Sequence, residues 1–172
     1  MSDPGGMLTG MGCTDFDCDI EFPPTLTATS PLALFEELRG VVERCLAHGD
    51  CFFIVESEVV HRYVQGLVDD DGLVLESVSN TSLGNECATE HGLSAEDQRH
   101  LARLGWAPPD ERNPNWFRHL DADAHHPAAL AAEILVRTLL EVHRAEPPDL
   151  DLIVCHAAEP AERVPVGADP NR

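Results

Sequence analysis

The sequence predicts an α+β domain in which an antiparallel β-meander sheet packs against flanking helices. Two observations lead to this prediction. Three apolar runs with strand character follow one another between residues 51 and 80, joined by short links, and long amphipathic stretches lie before and after them. Short links favour antiparallel pairing of consecutive strands. Because the strands are grouped and do not alternate singly with helices, a doubly wound nucleotide-binding sheet is not expected.

The first predicted helix begins at Pro31. Ser30 is a suitable N-cap, and proline is favoured in the first helical turn. His48 and Gly49 are typical of a helix end, so we expect an amphipathic helix of about 16 residues. Its apolar stripe consists of Leu34, Leu38, Val41, Val42 and Cys45.

Three strands form the predicted meander. Their sequences are CFFIVES, EVVHRYVQGLVD and LVLESVSN. Asp71 and Gly72 supply a tight turn between the second and the third strand. Tyr63, Gln65 and Leu67 share one face of the second strand, because side chains alternate along a strand. Both faces carry apolar residues, so we expect helices against one face and a partly covered or partner-accessible surface on the other.

The second half of the chain adds a helix, a strand, a long helix and a possible edge strand. These elements are LSAEDQRHLARLGW, NWFRHL, PAALAAEILVRTLLEVHRA and DLDLIVCHA. Ser94 and Asp97 resemble a capping box at the start of the first of them, and Gly105 is a suitable end. The Ala/Leu-rich stretch is the clearest helix in the chain, and the proline pair that begins at Pro147 ends it.

One domain, residues 30–157, is predicted between two disordered segments. Residues 1–29 form an arm with few apolar residues, and residues 158–172 form a proline-rich tail. Neither offers enough apolar surface to offset the entropy of ordering. The amino terminus does not resemble a secretory signal, and no stretch reaches the roughly 20 apolar residues that a membrane span needs. We therefore expect a cytoplasmic protein without membrane insertion.

The chain is strongly acidic. It has 31 Asp and Glu against 11 basic residues, all of them arginine, and a formal net charge of -20. Such a surface repels a phosphate backbone, so a nucleic-acid partner is not expected, whereas basic or amphipathic partners are favoured. The absence of lysine excludes Schiff-base chemistry and the usual P-loop.

No catalytic residue, metal site or cofactor is predicted. Cys13 and Cys18 lack a second Cys or His pair at zinc-site spacing, and the adjacent His125 and His126 cannot readily share one ion. In a strand, Cys155 and its neighbour His156 point to opposite faces, which counts against a thiolate pair.

Two tryptophans flank a proline-containing polar loop. Trp106 follows a helix end and is predicted to pack in the core near Leu101. Trp116 and Phe117 are neighbours in a strand, so one of the two rings points outward. We favour Trp116 as a ring at a groove edge that takes part in recognition, and the alternative that both tryptophans fasten the loop to the core stays open.

Several short motifs follow one another in a distinctive order: Tyr63-Val64-Gln65, Glu76 with Ser79-Asn80, Leu104-Gly105-Trp106 and Asn115-Trp116. In this order they resemble the TY-Chap family, actinobacterial proteins that are similar to YbjN and to type III secretion chaperones. The similarity covers about residues 50–145. It implies a curved antiparallel sheet flanked by helices, and peptide binding without catalysis in acidic, cytoplasmic and often dimeric proteins.

The expected function is that of a chaperone-like module for a peptide or protein client, with a homodimer as one possible assembly. The candidate ligand-binding residues are Tyr63, Gln65, Glu76, Asn80 and Trp116. Two alternatives stay open. One is an acidic immunity or inhibitor protein that neutralises a basic toxin, and the other is a small hydrolase that uses Cys155 or an acid pair with His61.

Overall fold

The structure is a computed structural model that describes residues 26–49, 51–69, 72–83, 91–121 and 123–156. It has the predicted α+β fold. The helices are α1 (Pro31–His48), α2 (Ala95–Arg103) and α3 (Pro127–Arg137), and the strands are β1 (Cys51–Ser57), β2 (Arg62–Asp69), β3 (Gly72–Ser77), β4 (Trp116–Leu120) and β5 (Asp151–His156). A π-helical segment, Thr138–Val142, follows α3 directly, and a 3-10 turn, Pro147–Asp149, precedes β5.

All five strands pair antiparallel in one sheet with the order β4-β3-β2-β1-β5. The predicted meander, β1 to β3, forms the centre of this sheet. The last predicted strand, β5, pairs with β1 at one edge, which confirms its edge position.

A single core lies between one sheet face and the helices. The buried strand residues facing it are Cys51, Phe53, Val55, Val64, Val68, Leu73, Leu75, Trp116, Leu120 and Leu152. Every second residue of β1 is buried and the residues between them are half-buried. The structure thus confirms the expectation of one helix-covered face and one that is more accessible.

The local signals of α1 are confirmed. The Ser30 side chain accepts a hydrogen bond from the Ala33 backbone N–H at 3.3 Å. Gly49 ends the helix with φ 72°, in the region that favours glycine. The buried residues of α1 are those of the predicted apolar stripe, Leu34, Leu38, Val41, Val42 and Cys45.

The long second-half helix differs from the prediction at its end. Beyond Arg137 the chain forms a π-helical segment, and the His143 backbone N–H donates to the Thr138 carbonyl, five residues earlier, at 2.9 Å. The Thr138 hydroxyl donates to the Ile134 carbonyl at 2.8 Å and accepts from the Trp106 indole at 2.9 Å. A side chain that shares a helical carbonyl with the backbone often bends the helix locally.

The packed part of the chain begins earlier than the predicted domain boundary at residue 30. Thr27 donates its backbone N–H and its hydroxyl to the Glu37 carboxylate at 2.9 and 2.6 Å. Ala28 is buried. Thr27 therefore contacts α1 and Ala28 belongs to the core, whereas residues 1–25 of the predicted arm and the predicted tail, 158–172, lie outside the described residues.

This contact predicts where the chain can be shortened. A variant that begins at Leu26 should keep the melting temperature of the full chain. A variant that begins at Thr29 loses the buried Ala28 and both Thr27 hydrogen bonds, so it should melt a few degrees lower, at a cost of about 1 kcal/mol. Equal melting temperatures for the two shortened chains would show that residues 26–28 add no stability.

Candidate functional site

The sheet face opposite the helices is the candidate site, and we call it the outer face. Its described residues are Phe52, Ile54, Glu56, Tyr63, Gln65, Leu67, Val74, Glu76, Phe117, His119, Asp151 and Ile153. Residues directly opposite one another in antiparallel strands place their side chains on the same face. The strand register therefore arranges these residues in rows across the sheet.

One part of the outer face is apolar and accessible. Leu67 lies opposite Phe52 on β1 and opposite Val74 on β3, and Ile54 lies opposite Ile153 on β5. The side chains of Leu67 and Ile153 are 40% and 41% exposed. A depression of about 100 Å³ opens among Phe52, Leu67, Val74 and the polar pair Gln65 and Glu76. Exposed apolar side chains that adjoin one another mark an interaction surface.

A hydrogen-bond network lies beside this apolar part. Glu76 Oε2 accepts from Gln65 Nε2 at 2.6 Å and from Asn115 Nδ2 at 2.9 Å. The Tyr63 hydroxyl donates to Asn115 Oδ1 at 3.2 Å. The network holds the Glu76 carboxylate in place through one oxygen, and within the described residues its other oxygen, Oε1, has no hydrogen-bond partner. That oxygen is positioned to accept a hydrogen bond from a ligand.

The outer face is acidic at the end of the sheet where β1 ends and β5 begins. Glu56 lies opposite both Tyr63 on β2 and Asp151 on β5. Together with Glu76, these carboxylates add to the negative potential of the chain at this end. The outer face thus offers an apolar part and an acidic part to the same ligand.

The structure brings together three of the five candidate residues, Tyr63, Gln65 and Glu76. Asn80 lies elsewhere and has a structural role. Its Nδ2 donates to the Leu93 carbonyl at 3.0 Å, and its Oδ1 accepts from the Leu93 N–H at 2.6 Å. The side chain therefore ties the segment after β3 to the segment before α2. Asn115 is a member of the network that the sequence analysis did not select.

The prediction that Trp116 lies at a groove edge is wrong. Its side chain is only 7% exposed and belongs to the core. Trp116 pairs with the buried Ser77, whereas Phe117 pairs with Glu76 on the outer face. Leu120, four residues after Trp116, shares its face and is also buried, so the first and the last residue of β4 both face the core. Phe117 is the ring that faces outward.

The prediction for Trp106 is confirmed. The side chain is 3% exposed, and its backbone N–H donates to the Leu101 carbonyl at 3.1 Å. The indole N–H reaches the buried Thr138 hydroxyl. Trp106 thus fastens the start of the long loop to α2 and to the end of α3.

A serine and a histidine approach each other inside the core. Ser77 Oγ and His143 Nε2 are 3.0 Å apart, and both side chains are buried. Burial lowers the pKa of His143 to about 3, so its ring is neutral and a weak base. Within the described residues, no group orients the ring through Nδ1. This pair therefore lacks the exposed nucleophile and the oriented base of a hydrolase.

Cysteine and metal chemistry find no further support in the described part of the chain. Cys45 and Cys51 are buried, and burial raises the pKa of the Cys45 thiol. Among the described residues, no group of three or more His, Cys, Asp or Glu could hold a metal ion. His125 and His126 are exposed, and Cys13 and Cys18 lie outside the described residues.

The buried His143 predicts acid-sensitive stability. The pKa of this histidine in the unfolded chain is about 6.5, well above its folded value. Below pH 6.5 this histidine is protonated in the unfolded chain but stays neutral in the folded chain. The free energy of unfolding therefore decreases as the pH falls from 6.5 toward 3. We expect the free energy of unfolding in urea to fall by about 2 kcal/mol between pH 7 and pH 4.5. In His143→Gln this pH dependence should be much weaker, and an unchanged slope would contradict the assignment.

A family model matches most of the chain. Residues 35–152 match the TY-Chap3 model, described as T3SS (YopN, CesT) and YbjN peptide-binding chaperone 3. The chain belongs to the TY-Chap3 family. The match contains the complete strands β1 to β4 and, with them, the network around Glu76. It confirms the resemblance at the level of a peptide-binding chaperone family.

Two other comparisons found nothing, since neither a curated protein nor a solved structure is significantly similar to this TY-Chap3 chain. In the part of the chain that the structure describes, no helix has both the length and the hydrophobicity needed to cross a membrane.

Proposed function

We propose that this TY-Chap3 protein is a cytoplasmic, non-catalytic chaperone that binds an extended segment of a client protein on the outer face of its sheet. One observation carries the proposal. Leu67 and Ile153 are exposed large apolar residues on a face whose opposite side is packed against helices. The same face carries a carboxylate held in position by Gln65 and Asn115.

The dimensions of the face suit an extended peptide. Adjacent strands are about 4.8 Å apart, so five strands span roughly 19 Å. An extended chain rises about 3.3 Å per residue and would cross this distance with about six residues. Its alternate side chains would contact the apolar row formed by Leu67, Phe52 and Val74, or the row with Ile54 and Ile153.

The polar groups of the face favour a client segment of a particular composition. Glu76 Oε1 can accept a hydrogen bond, and Glu56 and Asp151 place two more carboxylates nearby. A segment in which apolar residues stand next to arginine or lysine would complement both parts. The net charge of -20 would also increase the association rate of such a segment.

A peptide selection followed by affinity measurements tests the proposal. Random peptides are displayed, binders are selected, and the affinity of one binder is measured by calorimetry for the native chain and for Leu67→Asp and Ile153→Asp. Each substitution places a charge in the apolar part of the proposed interface, so each should weaken binding at least tenfold. Leu32→Asp, at an apolar residue of α1 that is 71% exposed, is the matched control and should bind normally.

Melting curves of all three variants show whether a loss of affinity reflects unfolding. Equal affinity of the outer-face variants and the native chain would refute the proposed surface. If a single folded basic domain binds and no peptide is selected, the acidic inhibitor alternative is correct.

A further inference from the structure

A second depression lies outside the outer face, between the turn that joins β1 to β2 and the end of the π-helical segment. It has a volume of about 310 Å³ and is lined by Val59, Val60, Arg62, His91, His143 and Arg144. This volume is at the lower end of the range for small-ligand sites. The lining combines two guanidinium groups with two valines, in a chain that is otherwise strongly acidic.

Arg62 is held rigidly by backbone carbonyls. Its Nε donates to His91 O at 3.2 Å, its Nη1 to Val142 O at 3.2 Å and its Nη2 to Gly92 O at 3.0 Å. A guanidinium has five N–H donors. Two of them therefore have no partner within the described residues, and the three bonds fix their direction.

Arg144 is bound at one nitrogen. Its Nη1 forms an ion pair with Asp97 Oδ1 at 2.9 Å and a weaker contact with Val142 O at 3.4 Å. In the described part of the chain, Nε and Nη2 have no hydrogen-bond partner. Asp97 is buried and also accepts from the backbone N–H of Ser94, the N-cap of α2, so it holds Arg144 at the rim of the depression.

Among the described residues that line this depression or bond to its arginines, positive charge exceeds negative charge. Arg62 and Arg144 carry two positive charges against the one negative charge of Asp97, and His143 is neutral because burial lowers its pKa. Two carboxylates, Glu56 and Glu58, lie close by, but they line a neighbouring depression that also contains Arg62, and neither lines this one.

The backbone around the depression is unusual. His61 and Arg144 are non-glycine residues with φ of 51° and 56°, in the left-handed region that costs such residues free energy. The π-helical segment ends immediately before His143. The buried Nδ1 of His143 has no hydrogen-bond partner within the described residues. Strained backbone and π-helical turns occur preferentially at functional sites.

We propose that this depression binds a carboxylate that is attached to an apolar side chain, as at the C-terminal residue of a peptide. The planar guanidinium groups of Arg62 and Arg144 match the geometry of a carboxylate. Val59, which is 68% exposed, and Val60 supply the apolar contact. The assignment of this carboxylate to the C-terminus of a client rests on the proposed function, whereas the carboxylate site itself does not.

Nuclear magnetic resonance titration of the full chain tests the site with three probes. N-acetyl-leucine has the carboxylate and the apolar side chain, N-acetyl-leucinamide lacks the charge, and inorganic phosphate lacks the apolar part. N-acetyl-leucine should shift the side-chain Nε–Hε signals of Arg62 and Arg144 in a saturable way. The amide should shift them at least tenfold less at the same concentration, and phosphate should bind at least fivefold more weakly.

Variants locate the effect. Val59→Glu places a negative charge at the exposed rim and should weaken N-acetyl-leucine binding at least fivefold, as should Arg144→Gln. Arg112→Gln is the control, because it removes one positive charge from an exposed loop residue and should leave binding unchanged. Absence of saturable shifts, equal shifts with the amide, or equal binding by native chain and Val59→Glu would each overturn the proposal. Because the signals that are read belong to Arg62 and Arg144, and the variants lie outside the outer face, the result is independent of the peptide selection.

Discussion

Replacement of Trp106 by alanine is expected to lower the free energy of unfolding by on the order of 3 to 5 kcal/mol, enough to unfold a marginally stable domain. The ring is buried in the core, and its indole N–H is bonded to the buried Thr138 hydroxyl. The substitution therefore leaves a cavity and removes this hydrogen bond, while the Thr138 hydroxyl keeps its bond to the Ile134 carbonyl. Trp116→Ala should be destabilising to a similar extent, because its ring is buried on the inner side of β4.

Phe117→Ala is the matched control for both tryptophan variants. Phe117 follows Trp116 directly, but its ring lies on the outer face and is only half-buried. We expect this variant to lose about 1 kcal/mol or less, with its larger effect on peptide affinity. The free energies of unfolding of the three variants in urea test whether both tryptophans belong to the core. A stable Trp116→Ala variant with reduced peptide affinity would return the recognition role to Trp116 and contradict the packing described above.

Gly66→Ala is expected to destabilise the protein by about 3 kcal/mol or more. Gly66 pairs with Phe53 in the centre of the sheet, and a Cβ atom at residue 66 would lie 2.3 Å from Phe53 Cζ and 2.4 Å from Cε1. Phe53 is fully buried, so its ring has no free space to move into. Replacing a glycine within a strand by alanine normally stabilises a protein. At Gly66 we expect the change in the free energy of unfolding to have the opposite sign.

Gly40→Ala in α1 is the control, because a Cβ atom there would meet Arg44 Nη1 at 3.6 Å, an ordinary contact. This variant should gain about 0.5 to 1 kcal/mol from reduced backbone entropy in the unfolded chain. The double variant Gly66→Ala with Phe53→Leu should recover part of the loss, since the smaller side chain leaves room for the Cβ. Strictly additive effects in this cycle would show that the two residues do not interact.

The order of elements was predictable from local signals. Caps at Ser30 and Ser94, the helical stripe of α1 and the short links between the central strands each act within a few residues. Alternation along β2 also placed Tyr63, Gln65 and Leu67 on one face, which proved to be the outer face. Such signals depend on the backbone geometry of one element at a time.

The errors concern choices that depend on other elements. Alternation requires that Trp116 and Phe117 point in opposite directions, but the pairing of β4 with β3 decides which of them is buried. A signal was present, because Leu120 shares the face of Trp116 and indicates the apolar side of the strand. The π-helical segment begins at Thr138, whose hydroxyl accepts a hydrogen bond from Trp106, 32 residues earlier in the chain. Periodicity within one helix cannot reveal that contact.

For the same reason, the sequence analysis selected only some of the residues that lie together around Glu76. Tyr63, Gln65 and Glu76 were selected, whereas Asn115 joins them only because β4 follows β3 in the sheet. Asn80 has a polar side chain that could bind a ligand, but its amide is hydrogen-bonded to the Leu93 backbone. A polar side chain near a strand end serves a loop or a ligand depending on which donors lie nearby.

Paramagnetic relaxation with a spin-labelled peptide tests the central claim most directly. A selected peptide with a nitroxide at its midpoint is added to the protein, and the methyl signals are recorded by nuclear magnetic resonance. Binding on the outer face predicts strong broadening of the Leu67, Ile54 and Ile153 methyl signals, while those of Leu32 and Leu46 on α1 stay sharp. Broadening of the α1 signals with unchanged signals from Leu67 and Ile153 would contradict the account.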